Sequence, residues 1–179
     1  MILVVHAHPY PRRSRACAAL LEGISGLEPM EVRSLYDLYP DFDVDVASEQ
    51  AAMERAKLIV WLHPVYWYTV PGLLKHWFDV VLVGGWAHGA GGNALEGKEC
   101  LWVPTTGDVE KYAPEAPHGH AFEAFVPVVE QTARYCGMRW LDPFVLHDSH
   151  KLDDEHLKRA GRKLHGRLEL WLAEQKRDA

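Results

Sequence analysis

The sequence predicts a doubly wound α/β fold built on a five-stranded parallel sheet. Two uninterrupted apolar runs, at residues 2–5 and 58–62, are typical of strands that are covered on both faces, as in the centre of a parallel sheet. Segments with helical spacing of apolar residues separate the strand-like runs, and no shift in composition divides the chain. Because repeated strand–helix units form open parallel sheets with helices on both faces, we expect residues 1–179 to form one α/β domain.

Three further strands complete the predicted sheet. Residues 31–35 alternate charged and uncharged side chains, which suits a strand at a sheet edge. Residues 101–103 and 144–146 supply a fourth and a fifth strand, both of them short. Five strands favour the flavodoxin-like order 2-1-3-4-5, in which ligands bind at the carboxyl ends of the strands beside the point where the order reverses.

Helical patterns fill the connections between the strands. Apolar residues recur at three- and four-residue spacing over residues 73–81, and Pro71 falls in the first turn, where a missing N–H has little effect. A second stripe covers residues 122–136, and Pro127 implies that the helix proper begins or kinks there. From Asp153 onward, apolar residues again occupy one face, so we expect a last helix that closes the domain.

The overall composition excludes several classes of protein. The hydrophobic fraction of 48% and the charged fraction of 25% are close to the globular average, which argues against disorder and repeat arrays. A formal net charge of −6 disfavours a broad nucleic-acid-binding surface, although Arg12, Arg13 and Arg15 form a local basic patch. The cysteines contain no C-x-x-C pair and no apolar stretch has the length of a membrane span. We therefore expect a cytoplasmic protein that does not bind nucleic acid.

The loop after the first strand leads into a helix that could hold a phosphate. It runs from His6 to Cys17, and Ser14 is the expected N-cap of the helix. A helix N-terminus presents free N–H groups and partial positive charge, to which a hydroxyl and nearby arginines would add. The alternative is an ordinary capped helix, and for this loop taken alone it is the stronger interpretation.

The loop after the third strand contains three consecutive aromatic residues. Tyr66, Trp67 and Tyr68 lie between Pro64 and Pro71. At the carboxyl edge of the sheet they would offer flat walls and backbone amides to a planar heterocycle. The alternative, which the sequence supports about equally, is that these side chains fill the core beneath the loop.

The loop after the fourth strand is a short turn that runs from Thr105 to Asp108. Gly107 allows its backbone to approach a ligand closely. Asp108 either places its charge at this edge or serves as an ordinary turn residue that tolerates a positive φ. Because the fold predicts that all three loops meet at one edge of the sheet, together they indicate a binding site.

Four motifs along the chain form a recognisable combination. They read His-Ala-His-Pro at 6–9, His-Pro-Val-Tyr-Trp-Tyr followed by Pro71 at 63–71, Leu-Lys-His-Trp-Phe-Asp at 74–79, and Thr-Thr-Gly at 105–107. This combination resembles the NAD(P)H:quinone oxidoreductase family of flavodoxin-like flavoproteins over nearly the whole chain. Within that family, residues 33–42 and 135–137 are most similar to the ancillary proteins of glutathione-regulated potassium-efflux systems.

The resemblance implies a flavodoxin-like domain that binds FMN. In the family, the residues that match His8 and 14–17 hold the ribityl phosphate, those that match 65–68 line the isoalloxazine ring, and those that match 105–108 meet its edge. The family usually has a second glycine at the position of Asp108 and an amide or small polar residue at that of Cys17. The candidate cofactor-binding residues are His8, Ser14, Arg15, Ala16, Cys17, Val65, Tyr66, Trp67, Tyr68, Thr105, Thr106, Gly107 and Asp108.

The resemblance also implies an activity and an assembly. Family residues that match Tyr112 and His118 lie over the flavin and assist hydride and proton transfer, so these two are candidate catalytic residues. The expected reaction is the two-electron reduction of a quinone or similar small electrophile by NADH or NADPH. Family members are commonly homodimers with the flavin site near the subunit interface.

A function of a different class follows from the same resemblance. The protein would then be a regulatory subunit that docks on a cytoplasmic domain of a potassium/proton antiporter and activates it, with flavin present for structure or redox sensing. Such a subunit would lie at the inner membrane through its protein partner. The two functions can coexist.

Two further patterns carry less weight. Residues 89–94 fit the dinucleotide pattern G-x-G-x-x-A, yet they precede a strand instead of joining a strand to a helix. The close pairs His6 with His8 and His118 with His120 lack the spacing of known zinc motifs. We therefore predict neither a Rossmann turn nor a metal site.

Overall fold

The computed structural model describes residues 1–113, 115–116 and 119–177. Within these residues a five-stranded parallel sheet has the order β2-β1-β3-β4-β5, so the predicted flavodoxin-like fold is confirmed. The strands are β1 (Ile2–His6), β2 (Met30–Ser34), β3 (Leu58–Pro64), β4 (Glu99–Thr105) and β5 (Arg139–Leu141).

Helices cover both faces of the sheet. They are α1 (Arg15–Ile24), α2 (Leu35–Leu38), α3 (Val46–Arg55), α4 (Gly72–Val81), α5 (Val126–Tyr135) and α6 (Asp154–Arg177), with short 3-10 helices at Pro11–Arg13, Val109–Tyr112 and Phe122–Ala124. Pro71 is the N-cap of α4, and Pro127 falls in the first turn of α5, as its missing N–H requires. No helix in the described part of the chain is both long enough and apolar enough to cross a membrane.

The two faces of the sheet bury two separate apolar cores. Alternate residues of the central strands point to opposite faces, so Val60 packs towards α1 and α6, whereas Trp61 packs towards α3, α4 and α5. Trp61, Trp77 and Trp102 are among the largest fully buried side chains. The central strands are therefore held on both sides, which fixes the edge at which their carboxyl ends meet.

Helices α1 and α6 touch each other through their backbones. A Cβ added to Gly23 would lie 2.5 Å from the Cα of Gly161, and one added to Gly161 would lie 2.6 Å from the carbonyl oxygen of Ala19. Neither distance is possible for real atoms unless a helix moves. These two glycines thus set the separation of the first and last helices.

The fifth strand lies earlier in the chain than the sequence predicts. It is Arg139–Leu141, whereas the prediction placed it at 144–146. Pro143 has no N–H to give to a ladder, so regular pairing ends before it. The segment beyond still runs beside β4, because the N–H of Leu146 donates to the carbonyl of Pro104 at 3.0 Å. The predicted position was wrong, but the segment lies next to the strand that it was expected to flank.

Candidate functional site

A cavity of about 460 Å³ opens at the carboxyl ends of β1, β3 and β4. This volume lies within the range of roughly 300–1,000 Å³ that is typical of small-molecule sites. All three predicted loops contribute to it, so the structure brings them together. The lining residues are His8, Arg13, Ser14, Arg15, Ala16, Pro64, Val65, Tyr66, Thr105, Thr106, Gly107, Ser149 and His150.

The N-terminus of α1 forms one end of this cavity. Ser14 is the N-cap, as predicted, and its Oγ accepts a hydrogen bond of 3.1 Å from the N–H of Cys17. Arg15 and Ala16 line the cavity, and the N–H groups of a first helical turn have no acceptor within the helix. Such groups, together with the positive end of the helix dipole, favour an anion at this point.

The side chain of Cys17 does not reach the cavity. It is fully buried, and its Sγ lies 3.9 Å from the Oγ1 of Thr105. Burial raises the pKa of this thiol, so it stays neutral. Cys17 could therefore contribute to the cavity only through its backbone.

The aromatic loop is a tight turn whose side chains point outward. Backbone hydrogen bonds of 3.1 Å join Tyr66 and Thr69 in both directions. Between them, Trp67 and Tyr68 have φ values of 49° and 63°, a region that bulky residues rarely occupy. Trp67 is 89% exposed and Tyr68 is 50% exposed. The alternative in which these rings fill the core is wrong, and strained, exposed aromatic residues are typical of ligand sites.

A second cavity of about 290 Å³ adjoins the first and shares Val65, Gly107 and His150 with it. Tyr112 lines this second cavity, and its ring meets that of Tyr68 edge-on, with 6.3 Å between the ring centroids. Burial, and then the neighbouring Tyr68, raise the pKa of Tyr112, so its phenol keeps its proton at neutral pH. The second predicted catalytic residue, His118, lies outside the described residues.

Asp108 lies among two lysines and a histidine at the rim of the second cavity. Its carboxylate lies 2.6 Å from Lys151 Nζ, 3.3 Å from Lys111 Nζ and 3.2 Å from His150 Nε2. Hydrogen bonds from Lys151 and Lys111 lower the pKa of Asp108 to about 2. Its φ of −57° shows that the alternative of a turn residue with positive φ is wrong.

A fourth loop, which sequence reasoning missed, also borders the cavity. Ser149 and His150 line it, and Ser149 Oγ donates a hydrogen bond of 2.7 Å to the carbonyl of Thr106. His147 Nδ1 lies 2.8 Å from Thr106 Oγ1 and ties the same loop to the end of β4. The loop follows the segment that was predicted as the fifth strand. The other three loops were located because ligands bind at the carboxyl ends of the strands, and the same reasoning would have located this loop.

Two buried histidines lie beneath the site without lining it. His63 Nδ1 is 2.9 Å from the carbonyl of Pro64, and His63 Nε2 accepts a hydrogen bond of 2.7 Å from Trp102 Nε1. His6 Nδ1 is 3.1 Å from Ser34 Oγ. Burial lowers the pKa of each histidine to about 4, so both are neutral at pH 7. Among the residues that the structure describes, no three His, Cys, Asp or Glu side chains form a group that could hold a metal ion.

A parallel sheet of this order, with a helix N-terminus and aromatic side chains at its carboxyl edge, defines a flavodoxin-like protein. The sequence pattern of a family described by the flavodoxin-like fold matches residues 1–168, and the chain therefore belongs to that family. The glutathione-regulated potassium-efflux system ancillary protein KefF of Salmonella typhimurium strain LT2 is 49% identical over 171 residues, which cover 96% of this chain and 97% of KefF. The resemblance inferred from the motifs is confirmed.

Solved structures agree with this assignment. The general stress protein 14 of Treponema denticola, in complex with FMN, has a TM-score of 0.86 and 29% identity over 94% of this chain and 98% of its own. An NADPH-quinone reductase from P. pentosaceus has a TM-score of 0.82 and 26% identity over 92% of this chain and 95% of its own. Proteins similar to this chain thus include one that holds FMN and one described as a quinone reductase.

Proposed function

We propose that the protein binds FMN and reduces quinones or similar electrophiles with electrons from NADH or NADPH. One observation carries this proposal: the cavity at the N-terminus of α1 extends to Tyr66 and adjoins the second cavity, which the strained and exposed Trp67 and Tyr68 line. An anion-binding end and flat apolar walls are what a phosphate linked to a planar ring requires. The FMN complex and the quinone reductase among the similar structures support the same conclusion.

The lining of the cavity fits FMN. Ser14, Arg15 and Ala16 would hold the phosphate, since they surround the free N–H groups of α1. A Cβ added to Gly107 would meet only the His150 ring, at 3.8 Å, so the backbone there is open to a close ligand. Bound FMN would supply hydride-transfer chemistry between the donor and the acceptor.

The protein would contribute orientation, exclusion of water and a proton. Trp67 and Tyr68 would cover the ring, and Tyr112 lies beside Tyr68 with a phenol that is protonated at neutral pH. A protonated phenol next to an oxygen that gains negative charge is a suitable general acid. We propose the same role for His118.

We expect Tyr112→Phe and His118→Ala each to slow flavin reduction or quinone turnover by about 10²–10⁴-fold with FMN still bound. Stopped-flow reduction measures this, and unchanged rates in both variants would remove the pair from the mechanism.

The visible spectrum of the purified protein tests the proposal directly. We expect a flavin spectrum, or its appearance on addition of FMN, and bleaching by NADH or NADPH under nitrogen. Ser14→Asp preserves a good N-cap but places a negative charge where the phosphate would bind, so FMN affinity should fall at least about 10-fold. Ala18→Asp adds the same charge to an exposed position of the same helix and serves as the control. A protein that takes up no FMN, or equal affinities in the two variants, contradicts the proposed site.

A second proposed function rests on the relative KefF, whose identity of 49% extends over nearly the whole chain. We propose that the protein also docks on the cytoplasmic domain of a potassium/proton antiporter and thereby lies at the inner membrane. Co-purification with that domain from the same organism is the test. An absence of association at high micromolar concentrations would leave the enzymatic function alone.

We further propose that the protein is a homodimer. A groove of about 440 Å³ between α4 and α5 has an apolar floor that includes Phe78 and Val129. At its rim, Val128 and Tyr135 are each 64% exposed, and exposed apolar patches of this kind mark interaction surfaces. Light scattering should give twice the chain mass, and Val128→Glu should halve it. Leu170→Glu, at another exposed apolar position, should leave the dimer intact. A monomeric wild type would exclude the dimer.

A further inference from the structure

A groove beside the candidate cofactor cavity has no role in the function proposed above. It measures about 430 Å³, and Arg13 lines both this groove and the cofactor cavity. A molecule that extends out of the cavity on this side would therefore enter the groove. The lining residues are Pro9, Tyr10, Pro11, Arg12, Arg13, Tyr36, Asp37 and Pro40.

The charges in this groove favour an anion. Arg12 and Arg13 are exposed, and within the described residues neither forms an ion pair, whereas the neighbouring Arg15 is paired with Asp154 at 2.7 Å. The guanidinium of Arg13 lies over the Tyr10 ring, 5.8 Å from its centroid. This contact holds the guanidinium at the groove without using its N–H donors.

The opposing charge in the groove is smaller. Asp37 lines the wall, and its carboxylate already accepts a hydrogen bond of 2.7 Å from Ser34 Oγ. Two guanidinium groups thus face one carboxylate. Guanidinium groups bind phosphate through paired hydrogen bonds, and the tyrosine and proline faces offer walls to a planar base. The groove therefore combines the features that recognise a phosphorylated nucleoside.

The hydride donors of the proposed reaction are adenine dinucleotides, and NADPH differs from NADH only in a phosphate on the adenosine ribose. We propose that this groove binds the adenosine end of the donor and that Arg12 and Arg13 recognise its 2′-phosphate, so that the protein selects NADPH. This inference rests on the proposed function, because it names the donor of that reaction. Asp37 would accept a hydrogen bond from a ribose hydroxyl.

Steady-state kinetics of the FMN-loaded protein with both donors provide the first test. We expect kcat/KM for NADPH to exceed that for NADH, and the double variant Arg12→Ala/Arg13→Ala to lose at least about 10-fold in kcat/KM for NADPH, which corresponds to about 1.4 kcal/mol. The loss should appear in KM for NADPH and should clearly exceed any change in kcat/KM for NADH at equal FMN occupancy. Arg159→Ala, at an exposed arginine of α6, is the control. A wild type without preference for NADPH, or a double variant that slows both donors equally, overturns the proposal.

Calorimetric titration with nucleotide fragments separates this proposal from the proposed function. We expect adenosine 2′,5′-bisphosphate to bind at least about 10-fold more tightly than AMP, and the double variant to abolish the difference. If the protein shows no turnover but this difference is present, the enzymatic proposal fails and the groove assignment stands. If turnover is present but the two fragments bind equally or not at all, the groove assignment fails alone.

Discussion

Two carboxylates lie among positive or hydrogen-bond-donating groups but differ in burial. The carboxylate of Glu49 is in the core beside β2, and that of Asp108 is at the rim of the site. Glu49 is fully buried and is bonded by Arg33 Nε at 2.7 Å, the Tyr39 hydroxyl at 2.6 Å and Trp77 Nε1 at 3.0 Å. Asp108 instead contacts two exposed lysine side chains, and its own side chain is 24% exposed.

This difference separates a charge that is part of the core from a charge that borders a candidate binding site. The bonds of Glu49 join α3, β2, the segment after α2, and α4, and removal of one member would leave a charge without its partner in the core. Solvent screens the pairs of Asp108, so they add little to folding. The charge of Asp108 nevertheless borders a ligand cavity, where it would act on whatever binds there.

The largest effect on stability should follow from a substitution at the buried carboxylate, Glu49. Glu49→Gln removes the fully buried one of the two carboxylates that are paired with Arg33, and loss of one partner from a buried pair costs about 3–5 kcal/mol. Urea unfolding should show this loss, whereas Asp108→Asn should barely move the unfolding midpoint. If the two variants are equally stable, burial does not distinguish the two carboxylates.

Lowering the pH should reveal the same effect of burial on stability at the two buried histidines, His6 and His63. The pKa of His6 and that of His63 are each about 4 in the folded protein, below the ordinary value of 6.5, because burial disfavours the charged form. Their contribution to stability is complete above pH 6.5 and is lost as the pH falls towards 4, by about 3 kcal/mol for each histidine. We expect His63→Gln to flatten the fall in unfolding free energy between pH 7 and 4.5. Equal slopes in the wild type and in His63→Gln would refute this account.

The smallest effect is expected at Asp108, on the reduction potential of bound FMN. Asp108→Asn removes the carboxylate that Lys111 and Lys151 share, so the rim becomes more positive and should favour the reduced, more negative flavin. A redox titration of the FMN-loaded protein should show a potential raised by tens of millivolts. Lys111→Gln changes the charge in the opposite direction and should lower it. An unchanged potential in both variants would mean that these charges do not act on the flavin.

The sequence predicted the parts of the molecule that depend on local pattern. Apolar runs located β1 and β3, and the helix N-cap at Ser14 followed from its residue type. The fifth strand was misplaced because three residues of strand at Arg139–Leu141 carry too little periodicity to outweigh the apolar segment after Pro143.

Contacts between distant segments could not be predicted in this way. Asp108 meets Lys151 from a loop beyond β5, and Arg33 meets Glu49 from a different element. Neither pair has a spacing that any local rule detects. The aromatic turn was ambiguous for the same reason, since only the tertiary structure shows that Trp67 faces outward.

Because the backbone of Gly23 in α1 contacts that of Gly161 in α6, the position of the last helix determines the position of the first. Helix α1 has 10 residues, and a helix of that length behaves as a rigid rod of about 15 Å. One end of this rod presents the N–H groups at Ser14, and the other end rests on the backbone of α6. A methyl group at Gly161 would therefore push α1 away from α6 and tilt it, and the tilt would displace the N–H groups at Ser14 that border the cavity at the opposite end of the helix.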